Sequence, residues 1–204
     1  MTELCRLGEL YHVDKCPMVN HSYTPFYHRI LSELRNSTKV VLEIGIGNIP
    51  LMKSLTNINY KPGASLRMWR DYFPSAQIIG CDILKDVLFT EDRIATFLLD
   101  QGDSDSLRNL NDTIKLHYGE VDIIIDDGSH QEKHMTLSFL ELWKIVKPNG
   151  LYIIEDIQTP FINNIINLHK SFNDAEIVYV HNGIGGKHSG KDWDCFVVFR
   201  KKIV

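Results

Sequence analysis

Two short acidic runs, one of them followed by a histidine, are the part of the sequence best suited to chemistry. Residues 126–130 read DDGSH and residues 155–156 read ED, and each run follows a stretch of apolar residues. Carboxylates that converge repel one another unless a positive charge neutralises them, and their oxygens suit a hard divalent cation. This pattern predicts a Mg²⁺ (or Mn²⁺) site built from Asp127, Glu155 and Asp156.

His130 lies three residues after Asp127, where it could stand beside such a site without being a ligand. A neutral imidazole is a suitable general base near neutral pH, so His130 and Asp127 are the expected catalytic residues. The alternative is that DDGSH is a polar turn in which His130 caps the following helix.

These residues need a scaffold that brings the ends of separate segments together, and a series of apolar, β-branched runs can supply it. Near-continuous runs of this length are typical of strands that are covered on both faces. They are Lys39–Gly47, Ala76–Ile83, Ile94–Asp100, Val121–Gly128, Leu151–Ile157, Ala175–His181 and Cys195–Lys201.

Helical patterns lie between most of these runs, at Tyr23–Leu34, Ala64–Tyr72, Leu107–Leu116, Met135–Val146 and Phe161–Phe172. Alternating strands and helices favour right-handed crossovers and a doubly wound α/β sheet. No helical pattern separates the last two runs, which predicts a hairpin. The expected fold is a Rossmann-like sheet of seven strands, mostly parallel, with an antiparallel last strand.

Glycines and acids stand at the ends of the first three predicted strands, where open α/β sheets bind ligands. Glu43 precedes Gly45 and Gly47, which let a ligand approach the backbone closely. Asp82 could accept hydrogen bonds from both ribose hydroxyls, and Asp100 could reach an adenine edge. Each acid alone could be a strand-end turn or a helix cap. Their occurrence at successive strand ends favours a nucleoside cofactor.

A dinucleotide dehydrogenase is the natural alternative for this pattern. Its fingerprint needs a third glycine three residues after the second, and Pro50 holds that position. Asp82 also lies well beyond the usual distance of about 20 residues. Both departures favour S-adenosylmethionine (SAM) over NAD.

Composition limits the class of protein. The 204 residues, 44% hydrophobic and 24% charged, suit one α/β domain. A net charge of −4 without a long basic run argues against nucleic-acid binding, and no apolar stretch approaches the roughly 20 residues of a membrane span. Without a signal-peptide core or a CxxC pair, a cytoplasmic protein is expected. We expect one domain over 1–204, with a helical or lid segment at 1–36 and the core at 37–204.

The sequence resembles the macrocin and mycinose type of sugar O-methyltransferases, and the rhamnosyl O-methyltransferases, which are class I SAM-dependent enzymes. The likeness runs from about residue 10 to 160 and is carried by GASLRMWRDYFP, GCDI, DQGD, IIDDGSH, IIEDI, Asp14-Lys15 and the H-x-Y-x-x-x-Y pattern at 21–27. It implies Mg²⁺-dependent transfer of the SAM methyl group to a hydroxyl of a deoxyhexose such as rhamnose. The 2-hydroxyl is the position expected from the members that carry the histidine.

The resemblance also implies roles for individual residues. Asp127, Glu155 and Asp156 correspond to metal ligands, and His130 to the catalytic base. The residues assigned to SAM are Glu43, Gly45, Gly47, Gly63, Ser65, Asp82, Asp100 and Asp126. The antibiotic-tailoring members are much longer, with further N-terminal domains. The expected partners are therefore a sugar or glycan substrate and either a homo-oligomer or a larger glycan-assembly polypeptide.

Two other functions stay open at this point. A metal-dependent O-methyltransferase of a catechol or other small phenol would use the same metal chemistry. A non-catalytic SAM-binding module would not need His130 or the carboxylates. Segments 12–27, rich in His and Tyr, and 182–193, rich in glycine, could close over the site. Trp69 and Trp143 lie in apolar helical patterns and are expected in the core.

Overall fold

One eight-stranded sheet runs through the protein, in the order β3-β4-β2-β1-β5-β6-β8-β7. The computed structural model describes residues 1–56, 60–182 and 195–203. The strands are β1 (Val40–Ile44), β2 (Gln77–Asp82), β3 (Thr90–Glu91), β4 (Ile94–Leu98), β5 (Val121–Asp126), β6 (Val146–Ile157), β7 (Ala175–Asn182) and β8 (Cys195–Lys201). The helices are α1 (Glu3–Leu10), α2 (Tyr23–Leu31), α3 (Ile49–Thr56), α4 (Ala64–Tyr72), α5 (Ser104–His117), α6 (Glu132–Leu142) and α7 (Ile162–Asn167).

The pairing of the strands confirms the predicted doubly wound fold. Strand β1 is parallel to β2 and β5, β2 is parallel to β4, and β5 is parallel to β6. The last strand, β8, lies between β6 and β7 and is antiparallel to both. The additional strand is β3, which has only two residues and pairs antiparallel with β4. Two residues are too few to show a periodicity, so the sequence pattern did not predict it.

The sequence analysis missed α3 and gave α1 only as part of a helical or lid segment over 1–36. A start signal for α1 is present, because the Thr2 side chain accepts a hydrogen bond from the Cys5 amide and Glu3 lies in the first turn. The stretch that was predicted as a hairpin and a glycine-rich lid, 182–193, falls from residue 183 onward outside the described residues.

Alternate residues of the central strands enter two different hydrophobic clusters, one on each face of the sheet. Leu42 packs in the cluster that includes α5, α6 and α7, and its neighbour Val41 packs in the cluster that includes α1, α2 and α4. Trp143 belongs to the first cluster and Trp69 to the second, so both are core residues as predicted. Because β1 and β5 are buried on both faces, only residues at their ends can contact a ligand.

The N-terminal segment is part of this core. Leu4, Tyr23 and Tyr27 are fully buried, and α1 packs on both α2 and α4. The carbonyl oxygen of Lys15 accepts hydrogen bonds from the amides of Tyr23 and Thr24, both at 3.0 Å, so the loop before α2 is fixed to its first turn. This placement brings side chains from residues 14–27 beneath the carboxyl ends of β5 and β6.

Candidate active site

A cavity of about 550 Å³ opens at the carboxyl ends of the parallel strands. Its wall combines the glycine turn after β1, the ends of β2, β4, β5 and β6, and residues of the N-terminal segment. Of the residues that the sequence predicted for a site, the following line it: Gly45, Gly47, Ser65, Asp82, Asp100, Asp127, His130 and Asp156. Volumes of about 300–1,000 Å³ are usual for small-molecule sites.

The turn after β1 depends on glycine for two reasons. Gly45 and Gly47 have φ values of 97° and 77°, a region that L side chains rarely adopt. A Cβ on Gly45 would overlap the backbone oxygen of Asp127, and a Cβ on Gly47 would overlap the hydroxyl of Tyr60. The turn therefore lies directly against the strand end that carries the acidic run.

Backbone amides fix the acids at the ends of β2 and β4. Asp82 accepts from the amide of Ile46 through Oδ2 and from that of Leu84 through Oδ1, both at 2.9 Å. Asp100 accepts from the amide of Gly102 at 2.8 Å. Each carboxylate oxygen has a second lone pair, so both acids can still accept hydrogen bonds from a ligand in the cavity.

Three residues predicted to contact a cofactor, Glu43, Gly63 and Asp126, do not line the cavity. Glu43 is fully buried and accepts from the Ser65 hydroxyl at 2.7 Å. Burial raises the pKa of Glu43 to about 7, against the opposing charge of Lys15. Gly63 begins α4 with φ 79° and donates its amide to the Ile46 carbonyl at 3.1 Å. Because β1 is covered on both faces, Glu43 points into the core, where the sequence analysis had expected a cofactor contact.

Asp126 supports the DDGSH turn from below. It is 1% exposed and accepts a 2.6 Å hydrogen bond from the Gln101 amide nitrogen. The side-chain oxygen of Gln101 in turn accepts from the amide of Ser129 at 2.9 Å. Burial raises the pKa of Asp126 to about 7, although the hydrogen bond from Gln101 opposes the shift. This chain of contacts fixes the backbone that presents His130 to the cavity.

Asp127, His130 and Asp156 come together at one end of the cavity. Each offers a ligand atom, and these atoms lie within 4.8 Å of one another. Oδ2 of Asp156 is 3.9 Å from Nε2 of His130. Two carboxylates and an imidazole at this spacing can bind a divalent cation, with hard ions favoured by the oxygens.

Glu155, predicted as the third carboxylate of this site, is held differently. It is 1% exposed, does not line the cavity and accepts a 2.6 Å hydrogen bond from Lys15 Nζ and another from the hydroxyl of Tyr27. Strand β6 is irregular here, since Asp156 has φ 50° and the register with β8 shifts between Ile154 and Ile157. At this irregularity Asp156 lines the cavity while Glu155 stays buried. Its role as a metal ligand stays a prediction.

Lys15 is the residue of this site that sequence reasoning missed. Its ammonium donates to Asp127 and Glu155 and lies 3.7 Å from Oε1 of Glu43, with a side chain only 2% exposed. Burial alone would lower the pKa of Lys15, but the charges of these carboxylates outweigh it and hold that pKa well above its usual range. The available signal was the Asp14-Lys15 pair, which was used only as a point of family resemblance.

His21 is a second residue without an assigned role in the sequence analysis. Its Nε2 lies 3.8 Å from Oδ2 of Asp156, and its ring stacks on Tyr23 with the centroids 4.9 Å apart. His21 lines the cavity together with Asp14 and Val13. Two imidazoles therefore face the same carboxylate oxygen from different segments of the chain.

Comparison with characterised proteins places this arrangement in context. The chain is 40% identical to mycinamicin VI 2''-O-methyltransferase of Micromonospora griseorubida over 163 residues, which cover 78% of the chain and 37% of that enzyme. It is 38% identical to the rhamnosyl tetracenomycin-C 2'-O-methyltransferase of Streptomyces olivaceus and 41% identical to demethylmacrocin O-methyltransferase of Streptomyces fradiae. Each of these two matches covers 69% of the chain and about a third of the relative (34% and 33%). No protein-family model matches the chain.

Solved structures of methyltransferases also superpose on this chain. MycE, a methyltransferase of the mycinamycin pathway solved with Mg, SAH and mycinamycin VI, superposes with a TM-score of 0.72 at 32% identity, over 98% of this chain and 55% of MycE. An O-methyltransferase from Bacillus cereus solved with SAH shares the fold, with a TM-score of 0.61 at 15% identity, over 98% of this chain and 90% of that one.

The sheet order, the antiparallel last strand and the cavity at the strand ends define a class I SAM-dependent methyltransferase fold. Within that class, the chain belongs to the family of sugar O-methyltransferases that includes the mycinamicin, rhamnosyl tetracenomycin and macrocin enzymes. The chain spans about a third of the length of these curated relatives.

Proposed function

We propose that this protein transfers the methyl group of SAM to a hydroxyl of a sugar, with a divalent cation, Mg²⁺ or Mn²⁺, at the acidic end of its cavity. The observation that carries the proposal is the continuity of one cavity. Its wall includes the glycine turn, Asp82 and Asp100 at one end and Asp127, His130 and Asp156 at the other. A methyl donor and an acceptor bound at these two ends would meet in the same enclosed space.

The cofactor end has the groups that a nucleoside with a charged amino acid tail requires. Asp82 is placed to accept from ribose hydroxyls, as acids at this strand end do in related sheets. Gly45 and Gly47 allow the backbone to approach, and Ser65 offers a hydroxyl at the wall. When bound, SAM supplies an activated methyl group on a positively charged sulfur.

The acidic end fits a divalent cation through the oxygens of Asp127 and Asp156, and Glu155 is joined to Asp127 through Lys15, which donates to both. A bound cation would lower the cost of removing the proton from a sugar hydroxyl. We assign the acceptance of that proton to His130, and its imidazole beside Asp156 at the cavity wall supports this assignment. The hydroxyl oxygen then forms a bond to the methyl carbon as the carbon–sulfur bond breaks. The electron pair stays on sulfur, so the leaving group needs no acid.

The names of the relatives support a sugar as the acceptor. The Streptomyces olivaceus relative is named for a rhamnosyl substrate, and it and the mycinamicin enzyme are named as 2'- and 2''-O-methyltransferases. We therefore propose a deoxyhexose such as rhamnose, in a glycan or glycoside, with the 2-hydroxyl as the position. We also propose the assembly and setting expected from the sequence, a homo-oligomer or part of a larger glycan-assembly polypeptide in a reducing compartment such as the cytoplasm. The described residues include no helix long and apolar enough to span a membrane, and the four cysteines are buried with no disulfide among the described residues.

The test is mass spectrometry of rhamnosides and other deoxysugar glycosides incubated with the protein, SAM and Mg²⁺. We expect a gain of one methyl group that EDTA abolishes and added Mg²⁺ restores. Catechol serves as the competing acceptor. Methylation of catechol alone would reject the sugar, methylation of a 3-hydroxyl alone would correct the position, and full activity after exhaustive chelation would reject the cation.

A further inference from the structure

Side chains from one short N-terminal segment contact all three carboxylates of the acidic end. Lys15 Nζ donates to Oδ2 of Asp127 and to Oε2 of Glu155. The hydroxyl of Tyr27 donates to Oε1 of Glu155, and that of Tyr23 donates to Oδ1 of Asp156 at 2.5 Å. We call Lys15, Tyr23 and Tyr27 the donor set.

The donor set is held rigidly. The rings of Tyr23 and Tyr27 are fully buried and each packs on Phe196 of β8 with centroids 5.1 Å apart. The ring of Tyr27 also packs edge-on against Trp69 of α4 at 5.7 Å. With the Lys15 carbonyl fixed to the first turn of α2, the three donors form one unit with the core.

The contacts decide which carboxylate oxygens face the cavity. Tyr23 binds Oδ1 of Asp156, and the other oxygen, Oδ2, faces Nε2 of His130 at 3.9 Å. A carboxylate with one oxygen bound this way has little freedom to rotate. Groups that hydrogen-bond to metal ligands from behind orient those ligands, and their loss costs roughly 10–100-fold in metal affinity or activity.

We propose that the donor set positions the carboxylates of the metal centre and that Lys15 supplies its fixed counter-charge. This inference rests on the proposed function, because it assigns the N-terminal segment to the metal site of that function. Lys15, Tyr23 and Tyr27 are positioning residues that act through Asp127, Glu155 and Asp156.

The charge of Lys15 has its own consequence. Its ammonium lies within 4.0 Å of carboxylate oxygens of Asp127, Glu155 and Glu43. Removal of Lys15 would leave Asp127 Oδ2 without this donor and Glu155 with the Tyr27 hydroxyl alone, so the ligand oxygens would no longer be held in place.

The first experiment compares Tyr23→Phe and Tyr27→Phe with Tyr72→Phe. All three tyrosines are fully buried, but the Tyr72 hydroxyl binds Nδ1 of His28 at 2.9 Å and contacts none of the three carboxylates by hydrogen bond. Electron paramagnetic resonance measures Mn²⁺ affinity, with Mg²⁺ as competitor, and calorimetry measures S-adenosylhomocysteine affinity. We expect Tyr23→Phe and Tyr27→Phe to bind Mn²⁺ roughly 10–100-fold more weakly, with S-adenosylhomocysteine affinity and the Tyr72→Phe variant unchanged.

The second experiment uses Lys15→Met and the double variant Lys15→Met/Glu155→Gln. We expect Lys15→Met to lose both metal affinity and thermal stability. The double variant should recover part of the stability, because position 155 no longer carries a buried charge without its cation. It should not recover metal affinity, because Asp127 still lacks the hydrogen bond from Lys15. If either variant fails to fold, the two tyrosine variants still decide the question.

The outcomes separate this inference from the proposed function. Wild-type affinity for Mn²⁺ in Tyr23→Phe, Tyr27→Phe and Lys15→Met would overturn the inference about the donor set and leave the proposed function standing. A wild-type protein that binds neither Mn²⁺ nor Mg²⁺ would overturn both. A protein that binds the metal and depends on the donor set, yet methylates only catechol, would leave the inference standing and reject the sugar.

Discussion

Oδ2 of Asp156, near the end of β6, faces Nε2 of His130, which follows β5, across 3.9 Å. Both have left-handed backbones, with φ of 50° and 54°. Non-glycine residues in such conformations cost roughly 1–3 kcal/mol each and are common at functional sites. The strain is tolerated because the Gln101 contact fixes the backbone at Ser129, next to His130, and the Tyr23 hydroxyl binds Oδ1 of Asp156. The result is an imidazole set against one oxygen of the acidic end.

If His130 is the proposed base, its replacement should lower the rate without loss of ligand binding. We expect His130→Ala to keep its affinity for S-adenosylhomocysteine and Mg²⁺ and to lose about 10²–10⁴-fold in kcat, the usual scale for a general base. Steady-state kinetics with a methylated glycoside as product, together with calorimetry, checks both parts.

His21 provides the internal comparison, since it faces the same oxygen at 3.8 Å from another direction. Its ring is committed to a stack on Tyr23, so we expect His21→Ala to lose less rate than His130→Ala. A loss as large as that of His130→Ala would assign the role of base to His21, on the other side of Asp156.

The acid at the end of β2 should control cofactor affinity. Asp82→Asn keeps an acceptor for one backbone amide but removes the charge and one acceptor oxygen. Hydrogen bonds to charged groups contribute about 1.5–3 kcal/mol, so we expect roughly 10–100-fold weaker binding of S-adenosylhomocysteine by calorimetry. The control is Asp86→Asn on the exposed turn that follows, which does not line the cavity. Equal affinities in the two variants would remove Asp82 from the cofactor site.

The glycine turn after β1 should not accept even a methyl group. Gly45→Ala combines an unfavourable φ of 97° with overlap against the Asp127 carbonyl. Gly119 has φ 80°, but no atom lies within 4 Å of the position that a methyl group would take there. Gly119→Ala should therefore lower the free energy of unfolding only by the cost of a left-handed backbone at alanine, about 1–2 kcal/mol. Urea unfolding should show a larger loss for Gly45→Ala. Similar losses in both variants would show that the close approach to Asp127 is unimportant.

Acid should weaken the contact between α4 and β3. The hydrogen bonds from Arg67 hold the pKa of Glu91 at about 2, with Nε and an Nη of Arg67 at 2.9 and 2.7 Å. Because the folded-state pKa is depressed, this stability is present above the unfolded pKa near 4.3 and is lost as pH falls from there toward 2. The melting temperature of Glu91→Gln should fall less than that of wild type between pH 5 and pH 3. Parallel curves would contradict this assignment.

The sequence by itself determined the fold class and most of the cavity wall. Continuous apolar runs of this length are typical of strands whose side chains are buried on both faces of a sheet. Parallel strands place their carboxyl ends along one edge of that sheet. Residues at those ends, such as Asp82, Asp127 and His130, therefore had to meet. The acidic run after β5 and the glycine turn after β1 are local features, visible without knowledge of any distant contact.

The tertiary structure alone decided which neighbouring acids face the cavity and which face the core. Glu43 and Glu155 were indistinguishable in sequence from acids at a site, yet both point inward to Lys15. The pairing of Lys15 with Glu155 joins residues more than half the chain apart, and no local pattern encodes it. Burial of a charged group is decided by the whole set of charges around it. The ammonium of Lys15 and the carboxylates of Glu43 and Glu155 are buried together because each lowers the cost of burying the others.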